Sequence, residues 1–334
     1  MAYNKPWLGF DEQLEKLQQR GLSVTDKAAA LNYIERIGYY RLSGYWYSFR
    51  ERSGKVCELV YKGNKAQKTK ETKETTFPFE TFKAGSCFTD AVELYVFDKR
   101  LRMLAMDALE RIEVALRVDI SHTLGEKNPF AYLKADCLFP DFSEVLDGRK
   151  GVTKHHDWLS GHAKLISRSK EEFVKHNKAK YGLPLPIWVA CEVWDFGTMS
   201  RLFDGMLEAD QNAIANRYGI SNGRIFASWL RSLNYLRNVC AHHSRLWNRN
   251  MTEQPKLPSK AEHPWVNDYI TNTHAQARCY LLLRICLVLM KRINPNSSWP
   301  ERVKDHLESF PNLEHLKLNL VGMGAPDNWQ NDWQ

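Results

Sequence analysis

The spacing of apolar and polar residues is helical along most of the chain. In FDEQLEKLQQRG, which starts at Phe10, apolar residues recur three or four positions apart and Gly21 supplies a stop. A second helix is expected over roughly Asp26 to Ile37, with Ser23 or Thr25 as its cap. Leu94, Phe97, Leu101, Ala105, Ala108, Ile112 and Leu116 keep close to a 3.6-residue period, which predicts one long helix from Phe88 to Leu124, closed by Gly125. Further helical stretches are expected over His155 to Lys180, Trp188 to Phe203, Asn222 to Trp247 and Glu262 to Ile293. The prolines of YGLPLPIW break the chain before the second of these. The longest apolar run, CYLLLRICLVLM from Cys279 to Met290, is interrupted by Arg284 and too short to span a bilayer, so a buried helix is expected and no membrane segment.

Two stretches depart from this pattern. GYYRLSGYWYSFR, from Gly38, is aromatic at every second or third position and reads as a packing hinge between the N-terminal helices and the main body. Residues 51–87 combine β-like pieces such as VCELVY with the charged, apolar-poor KGNKAQKTKETKETT, the pattern of a basic loop or hairpin. Such a charge run is ordinarily a solvated surface. The sharper reading makes Lys62, Lys65 and Lys68 RNA contacts. Four segments result: an N-terminal helical region (1–50), the basic loop or hairpin (51–87), the main helical domain (88–293) and a C-terminal extension (294–334). There is no fixed-period repeat, no parallel-sheet alternation, no G-x-G-x-x-G and no P-loop. The fold class is all-α, with a small β-hairpin near residue 60.

Composition changes this picture little. The 334 residues carry a formal charge of +8, which favours polyanionic partners but is weak support alone. Seven cysteines, with no C-x-x-C pair, read as reduced packing residues of a cytoplasmic protein. MAYNKPWLGFDEQLEK is amphipathic and charged, so no signal peptide is expected.

The chemistry concentrates in LRNVCAHHSRLWNR, Leu236 to Arg249, which holds three arginines and two adjacent histidines. On a helix at about 100° per residue, Phe226, Trp229, Leu233, Leu236, Cys240 and Trp247 form an apolar face. Arg231, Asn234, Asn238, His242, Arg245 and Arg249 fall opposite, and Arg237 lies at the border. No acid occurs from Asn222 through Met251, so this stripe lacks the local ion pairs of an ordinary solvated face and fits a polyanion. Arg237 and His242 stand about 140° apart on an ideal helix and would meet only if the helix ended or bulged, or if the arginine curled around. Together they could cleave RNA through attack of the ribose 2′-OH on the adjacent phosphate. Arginine would grip phosphate oxygens, histidine would move the proton, and no metal would be required. The His155–His156 and His242–His243 pairs do not easily turn both rings to one ion, and no H-E-x-x-H or Cys/His spacing accompanies them, so neither a metal site nor a cofactor is expected.

R-N-V-C-A-H resembles the R-x(4–6)-H signature of HEPN-domain ribonucleases. Its setting is more specific. KPWLGFDEQLEKLQQRGL, YIERIGYYRLSGYWYSFR, LYVFDKRLRMLAMDALERIEVALR, PIWVACEVWDFGTMSRLF and YLRNVCAHHSRLWNR, in that order across residues 5–293, resemble the bacterial Abi-like family of abortive-infection proteins. The resemblance implies a HEPN-type helical bundle with an N-terminal helical extension, and a metal-independent endoribonuclease toxin acting in phage defence. It implies a homodimer with a composite site, in some relatives paired with a small structured RNA. Arg237, Asn238 and His242 would be catalytic, and Arg231, Asn234, Arg245 and Arg249 would bind RNA. The alternative is an RNA-binding defence protein that carries a structured RNA without cutting it.

A second R-x(4)-H, Arg117 to His122 in RVDISH, is a weak further candidate. Glu113 stands four residues before Arg117, the favourable orientation for a helix ion pair. Glu110, Glu113 and Glu192 could orient an active-site group or neutralise a buried arginine, and the second role is the commoner one for acids among apolar residues.

Overall fold

The computed structural model describes residues 5–62 and 69–333, with the side chains of residues 59–62, 69–71 and 73 left aside. The chain divides into two compact units. The first comprises residues 1–99 and 309–319, the second residues 100–308 and 320–334.

The first unit opens with α1 (Phe10–Gln19), α2 (Lys27–Ile37) and α3 (Tyr39–Trp46). Asp26, rather than Ser23 or Thr25, caps α2: its carboxylate accepts from the Ala29 amide at 2.9 Å. Ser23 instead donates its hydroxyl to the Ser86 carbonyl at 3.0 Å, which ties the α1–α2 loop to the turn that precedes Phe88. Within the aromatic block, Tyr40 and Tyr47 are exposed. Leu42, Tyr45, Trp46 and Phe49 are buried, and the Tyr45 hydroxyl donates at 2.7 Å to the buried carboxylate of Asp98. Four strands follow: β1 (Arg50–Arg52), β2 (Val56–Lys62), β3 (Thr69–Thr75) and β4 (Pro78–Phe82). β2 pairs antiparallel with β3 from Val56↔Thr75 to Lys62↔Thr69, and β1 pairs antiparallel with β4. The expected basic hairpin is thus present. Lys62 closes β2, while Lys65 and Lys68 lie outside the described residues.

α4 runs unbroken for 40 residues, Phe88–Lys127, contributing to the first unit as far as Lys99 and to the second from Arg100. Gly125 does not end it. A Cβ there would meet Ile187 Cγ2 at 3.3 Å and the Trp188 ring at 3.5 Å, so this glycine permits a close approach instead of a stop.

The second unit continues with α5 (Pro140–Ser143), α6 (Lys154–Arg168), α7 (Glu172–Tyr181), α8 (Ile187–Ala190), α9 (Phe196–Asp204), α10 (Glu208–Arg217) and α11 (Gly223–Ala241). It closes with α12 (Asn267–Ile270), α13 (Thr273–Gln276), α14 (Cys279–Ile293) and α15 (Trp299–Glu308). Two stretches expected as single helices are split, and the helical body expected over residues 155–180 is two helices. Residues 188–203 break at Trp194, because the Asp195 carboxylate accepts from the Thr198 amide at 2.8 Å and starts a new helix. Residues 262–293 form three helices, the middle one capped by Asn272, whose side chain accepts from the Ala275 amide at 3.0 Å.

The core sits on α11 and α14. α11 packs against α9, α10 and α14, and Phe226, Trp229, Leu230, Leu233 and Leu236 are all at most 1% exposed. Each such side chain is worth about 1.5–3 kcal/mol of burial. α14 is the buried helix its apolar run predicts. All seven cysteines are free thiols, four of them buried. No helix among the described residues is long and apolar enough to cross a membrane.

Candidate functional site

α11 begins at the Asn222 cap, whose side chain accepts from the amides of Arg224 and Ile225 at 2.9 and 3.2 Å. It ends at Ala241, six residues short of the expected Trp247. The ending is a complete C-terminal motif. His242 is the half-helical last residue, and its amide donates to the Asn238 carbonyl at 3.0 Å. His243 then adopts a left-handed backbone, φ 53°. Its amide donates to Cys240 O and the Ser244 amide to Val239 O, both at 3.0 Å. These are the two reverse bonds of a Schellman cap. Glycine is the usual residue at the left-handed position because other residues are disfavoured there. The buried Arg102 donates to the Ser244 carbonyl at 3.3 Å and braces the turn from α4.

This ending rearranges the predicted stripe. Arg231, Asn234, Asn238 and, at the cap, His242 keep their helical succession. Arg245 and Arg249 do not: they lie in the irregular segment beyond the helix. Trp247 is buried there without belonging to the helical apolar face. His243 is exposed, on the left-handed turn. Arg249 donates through Nε to the Tyr235 hydroxyl at 3.2 Å. Burial alone would push the Tyr235 phenol up, but hydrogen bonds with Thr252 and Arg249 and the Arg249 charge outweigh it and hold the phenol below its usual range.

Arg237 and Asn238 open onto a cavity of about 560 Å³, which Arg231, Asn234 and Tyr235 also line. The start of α9 forms the opposite wall with Asp195, Gly197 and Ser200, and Glu253 closes one side. Gly197 makes room for Asn234, whose Oδ1 would stand 3.3 Å from a Cβ at that position. His242 is not part of the lining. It is exposed at the helix end, one turn beyond Asn238. Within one chain, therefore, the helix end does not fold His242 back over Arg237.

The electrostatics also differ from the sequence expectation. No acid lies among the arginines between Asn222 and Met251, but acids from outside that stretch approach them in space. Arg231 pairs with Asp204 at 2.8 Å, and Asp195 and Glu253 share the cavity. The Glu113 carboxyl is pushed above its usual range by burial. The charges of Arg117 and Arg237 pull it back, while Asp195 and Glu110 push it further up. The glutamate of the ERIE block thus lies within the electrostatic reach of Arg237. The acids on α9 and after α11 that line the cavity were not singled out from the sequence. Only Asp195 left a local signal, as an acid three residues before Thr198 at a helix start.

Arg117 serves the ion-pair role. It donates to Glu113 at 3.2 Å and to the Trp194 carbonyl at 3.2 Å, and stands 3.7 Å from Glu192. His122 is exposed further along the same uninterrupted helix, about 140° round from Arg117. The structure therefore does not bring this second pair together. Among the described residues no group of three or more His, Cys, Asp or Glu side chains could hold a metal ion. His155 is buried, with Nε2 donating to the Tyr132 carbonyl at 2.8 Å.

No curated protein and no solved structure matches the chain. The model of the Abi-like protein family matches residues 32–248, from α2 through α4, α9 and α11 to the turn that follows His242. That match covers well over half of the chain and takes in Arg237, Asn238 and His242. The chain therefore belongs to the Abi-like protein family.

Proposed function

We propose that the protein is an endoribonuclease of abortive-infection defence, with Arg237, Asn238 and His242 as its reacting groups. Family membership supports the defence role. The ribonuclease role rests on one observation above the others: α11 ends with His242 as its cap, presenting an imidazole at the surface while Arg237 and Asn238 one turn earlier line a cavity. The Arg237 guanidinium would hold the non-bridging oxygens of a phosphodiester and stabilise the charge that grows on them. Asn238 would orient the phosphate. His242 would take the 2′-OH proton or protonate the departing 5′ oxygen. The product would be a 2′,3′-cyclic phosphate, and the step calls for no metal or organic cofactor.

Arg237 and His242 diverge on one helix, so the complete site would be composite. Two copies of the chain would meet through the ends of their α11 helices, one arginine facing the partner's histidine across the RNA. Crowding these cations costs energy that a bound phosphate relieves, so RNA would tighten the dimer by linkage. Arg231, Asn234, Arg245 and Arg249 would supply affinity, as would Lys62, Lys65 and Lys68. A small structured RNA would be the companion or the substrate.

The second reading, RNA binding without cleavage, is favoured by the acids Asp195 and Glu253 in the cavity, which would repel a phosphate placed deep inside it. One experiment separates the two. Purified protein in excess chelator is incubated with end-labelled RNA, and the ends are analysed. Cyclic phosphate termini support cleavage. A gel shift with intact RNA supports the carrier reading.

A further inference from the structure

One face of the first unit gathers exposed aromatic rings and cations. Tyr40 and Tyr47 stand seven residues apart, about two helical turns, so they share one side of α3 at about 10 Å from each other. Tyr40 is 79% exposed and Tyr47 44%. Single aromatic residues at a surface are ordinary. These two are held in place, however. The Tyr39 ring stands edge-on to Tyr40 at 5.6 Å and to the fully buried Trp46 at 5.3 Å, so Tyr40 is braced from the core while most of its surface meets solvent. Arg50 sets its guanidinium over the Tyr47 ring, 5.6 Å from the centroid, and joins a charge to that ring.

Further cations meet at the turn that follows α3. Lys83 Nζ donates to the Ser48 carbonyl at 3.2 Å and to the Leu316 carbonyl at 3.0 Å, which brings Lys83 and the neighbour of Leu316, Lys317, to the residue after Tyr47. Both acceptors are neutral and cancel none of the charge. The Lys83 ammonium is held below its ordinary range, by burial first and then by the charges of Lys317 and Arg52. Arg52 is itself fixed by a neutral partner, donating from Nε to the Thr76 hydroxyl at 2.8 Å and from Nη2 to the Thr76 carbonyl at 3.0 Å. Glu51, between the two arginines of β1, accepts instead from the Thr81 hydroxyl at 3.0 Å. Lys317 is exposed and has a left-handed backbone, φ 58°. Glycine or asparagine would adopt that conformation with less strain, so the local backbone does not call for a lysine there.

Fixed like charges repel, and an anion relieves the repulsion. Cations beside exposed rings suit one kind of anion above others. Proteins that hold unpaired nucleic acid without reading its sequence combine a positive track for the phosphates with aromatic rings on which bases stack. A duplex keeps its bases on one another and leaves such rings unused. We propose that this face binds an unpaired stretch of RNA, with bases against Tyr40 and Tyr47 and phosphates on Arg50, Arg52 and Lys317, where Lys83 adds its charge. That assignment rests on RNA being the partner of the protein, and it gives the first unit a hold on the strand that does not require cleavage.

The test titrates the full chain, by fluorescence anisotropy, into a labelled unpaired strand of about 12 nucleotides. The strand is 2′-O-methylated, so it lacks the 2′-OH nucleophile and reports binding alone. Tyr40→Ala combined with Tyr47→Ala should weaken binding at least about ten-fold and leave the salt slope unchanged, because stacking releases no counterions. Tyr40→Phe combined with Tyr47→Phe should bind within about two-fold of the parent, since both rings remain. Lys317→Asn removes a charge and suits the left-handed backbone, and should flatten the slope of log K against log salt by about 0.7. A blunt-ended RNA duplex should bind the parent and the double alanine variant equally. Circular dichroism confirms that the variants remain folded. The proposal is overturned if the double alanine variant holds the unpaired strand as tightly as the parent, or if the phenylalanine variant loses as much as the alanine one. A slope unchanged in Lys317→Asn, or a duplex weakened as much as the unpaired strand, would also overturn it. In those four cases RNA binding by the parent still stands. A parent that binds no RNA at all would overturn this assignment together with the proposed RNA partnership.

Discussion

Replacing His243 by glycine and, separately, by alanine tests where α11 ends, because the two geometries predict opposite orders of stability. His243 has φ 53°, with both reverse bonds of the cap in place. At a left-handed position alanine carries a cost of roughly 1–2 kcal/mol that glycine escapes. Glycine in turn loses about 0.5–1 kcal/mol more backbone freedom on folding. The glycine variant should therefore be more stable than the alanine variant by about 0.5–1 kcal/mol. If the helix continued through residue 243, as its periodicity implies, alanine would win by about 1 kcal/mol. The separation between the two outcomes is about 1.5–2 kcal/mol, well above the error of a urea titration. Comparing glycine with alanine also removes the imidazole from both sides, so whatever the His243 ring contacts cancels. The assay is equilibrium unfolding in urea, read in the transition of the second unit, with the denaturant slope checked for equality. An alanine variant more stable than the glycine variant would refute the cap and, with it, the placement of His242 at the helix end.

Other consequences are open to measurement. His162 is buried, accepts at Nδ1 from Trp194 Nε1 at 2.9 Å, and is held by burial at a pKa of about 4. Unfolding restores an ordinary histidine near pH 6.5, so the unfolded state binds more protons below that value. Stability should therefore fall as pH drops from about 6.5 toward 4, by about 2 kcal/mol at pH 5 from this residue alone. Denaturant midpoints that do not change over that interval would contradict it. Affinity for single-stranded RNA should fall with salt, log K against log salt having a slope of roughly −0.7 per phosphate neutralised. A slope near zero would remove RNA as the partner. Arg245→Ala and Arg249→Ala should weaken RNA binding more than turnover, checked by filter binding against single-turnover rates. Sedimentation should show a homodimer that RNA tightens, and a monomer that still cleaves RNA at micromolar concentration would count against the composite site.

The sequence made the helical class legible because apolar spacing in α1 and α4 follows the helical period, and α14 carries the longest apolar run and is buried almost throughout. It put Arg237, Asn238 and His242 forward as candidates because the motif is local, but within one chain His242 lies outside the cavity that the other two line. Helix ends were less readable wherever the stop was not glycine. His243 takes a backbone conformation that glycine usually fills, so nothing in LRNVCAHHSRLWNR announced the turn. Gly125 misled in the opposite direction, being required for contact with Ile187 and Trp188 and not for termination. The neutralisation of the arginine stripe was hidden for another reason. Asp204 is 27 residues from Arg231 in sequence, and only the packing of α9 on α11 brings them within 2.8 Å. Arg117, by contrast, carried its explanation in its own helix, with Glu113 one turn away.

The most direct test of the central claim is single-turnover cleavage of RNA by His242→Ala beside the parent protein and His243→Ala, in chelator, with affinity measured in parallel. The account predicts that His242→Ala loses cleavage by at least about 100-fold, the lower end of what general acid–base catalysis contributes. Its RNA affinity should stay within a few-fold of the parent, because a neutral imidazole adds little phosphate attraction. His243→Ala should cleave near the parental rate. An inactive His243→Ala with an active His242→Ala would put the catalytic imidazole one residue later. Cleavage by both variants at the parental rate would contradict the ribonuclease assignment and leave RNA binding in its place.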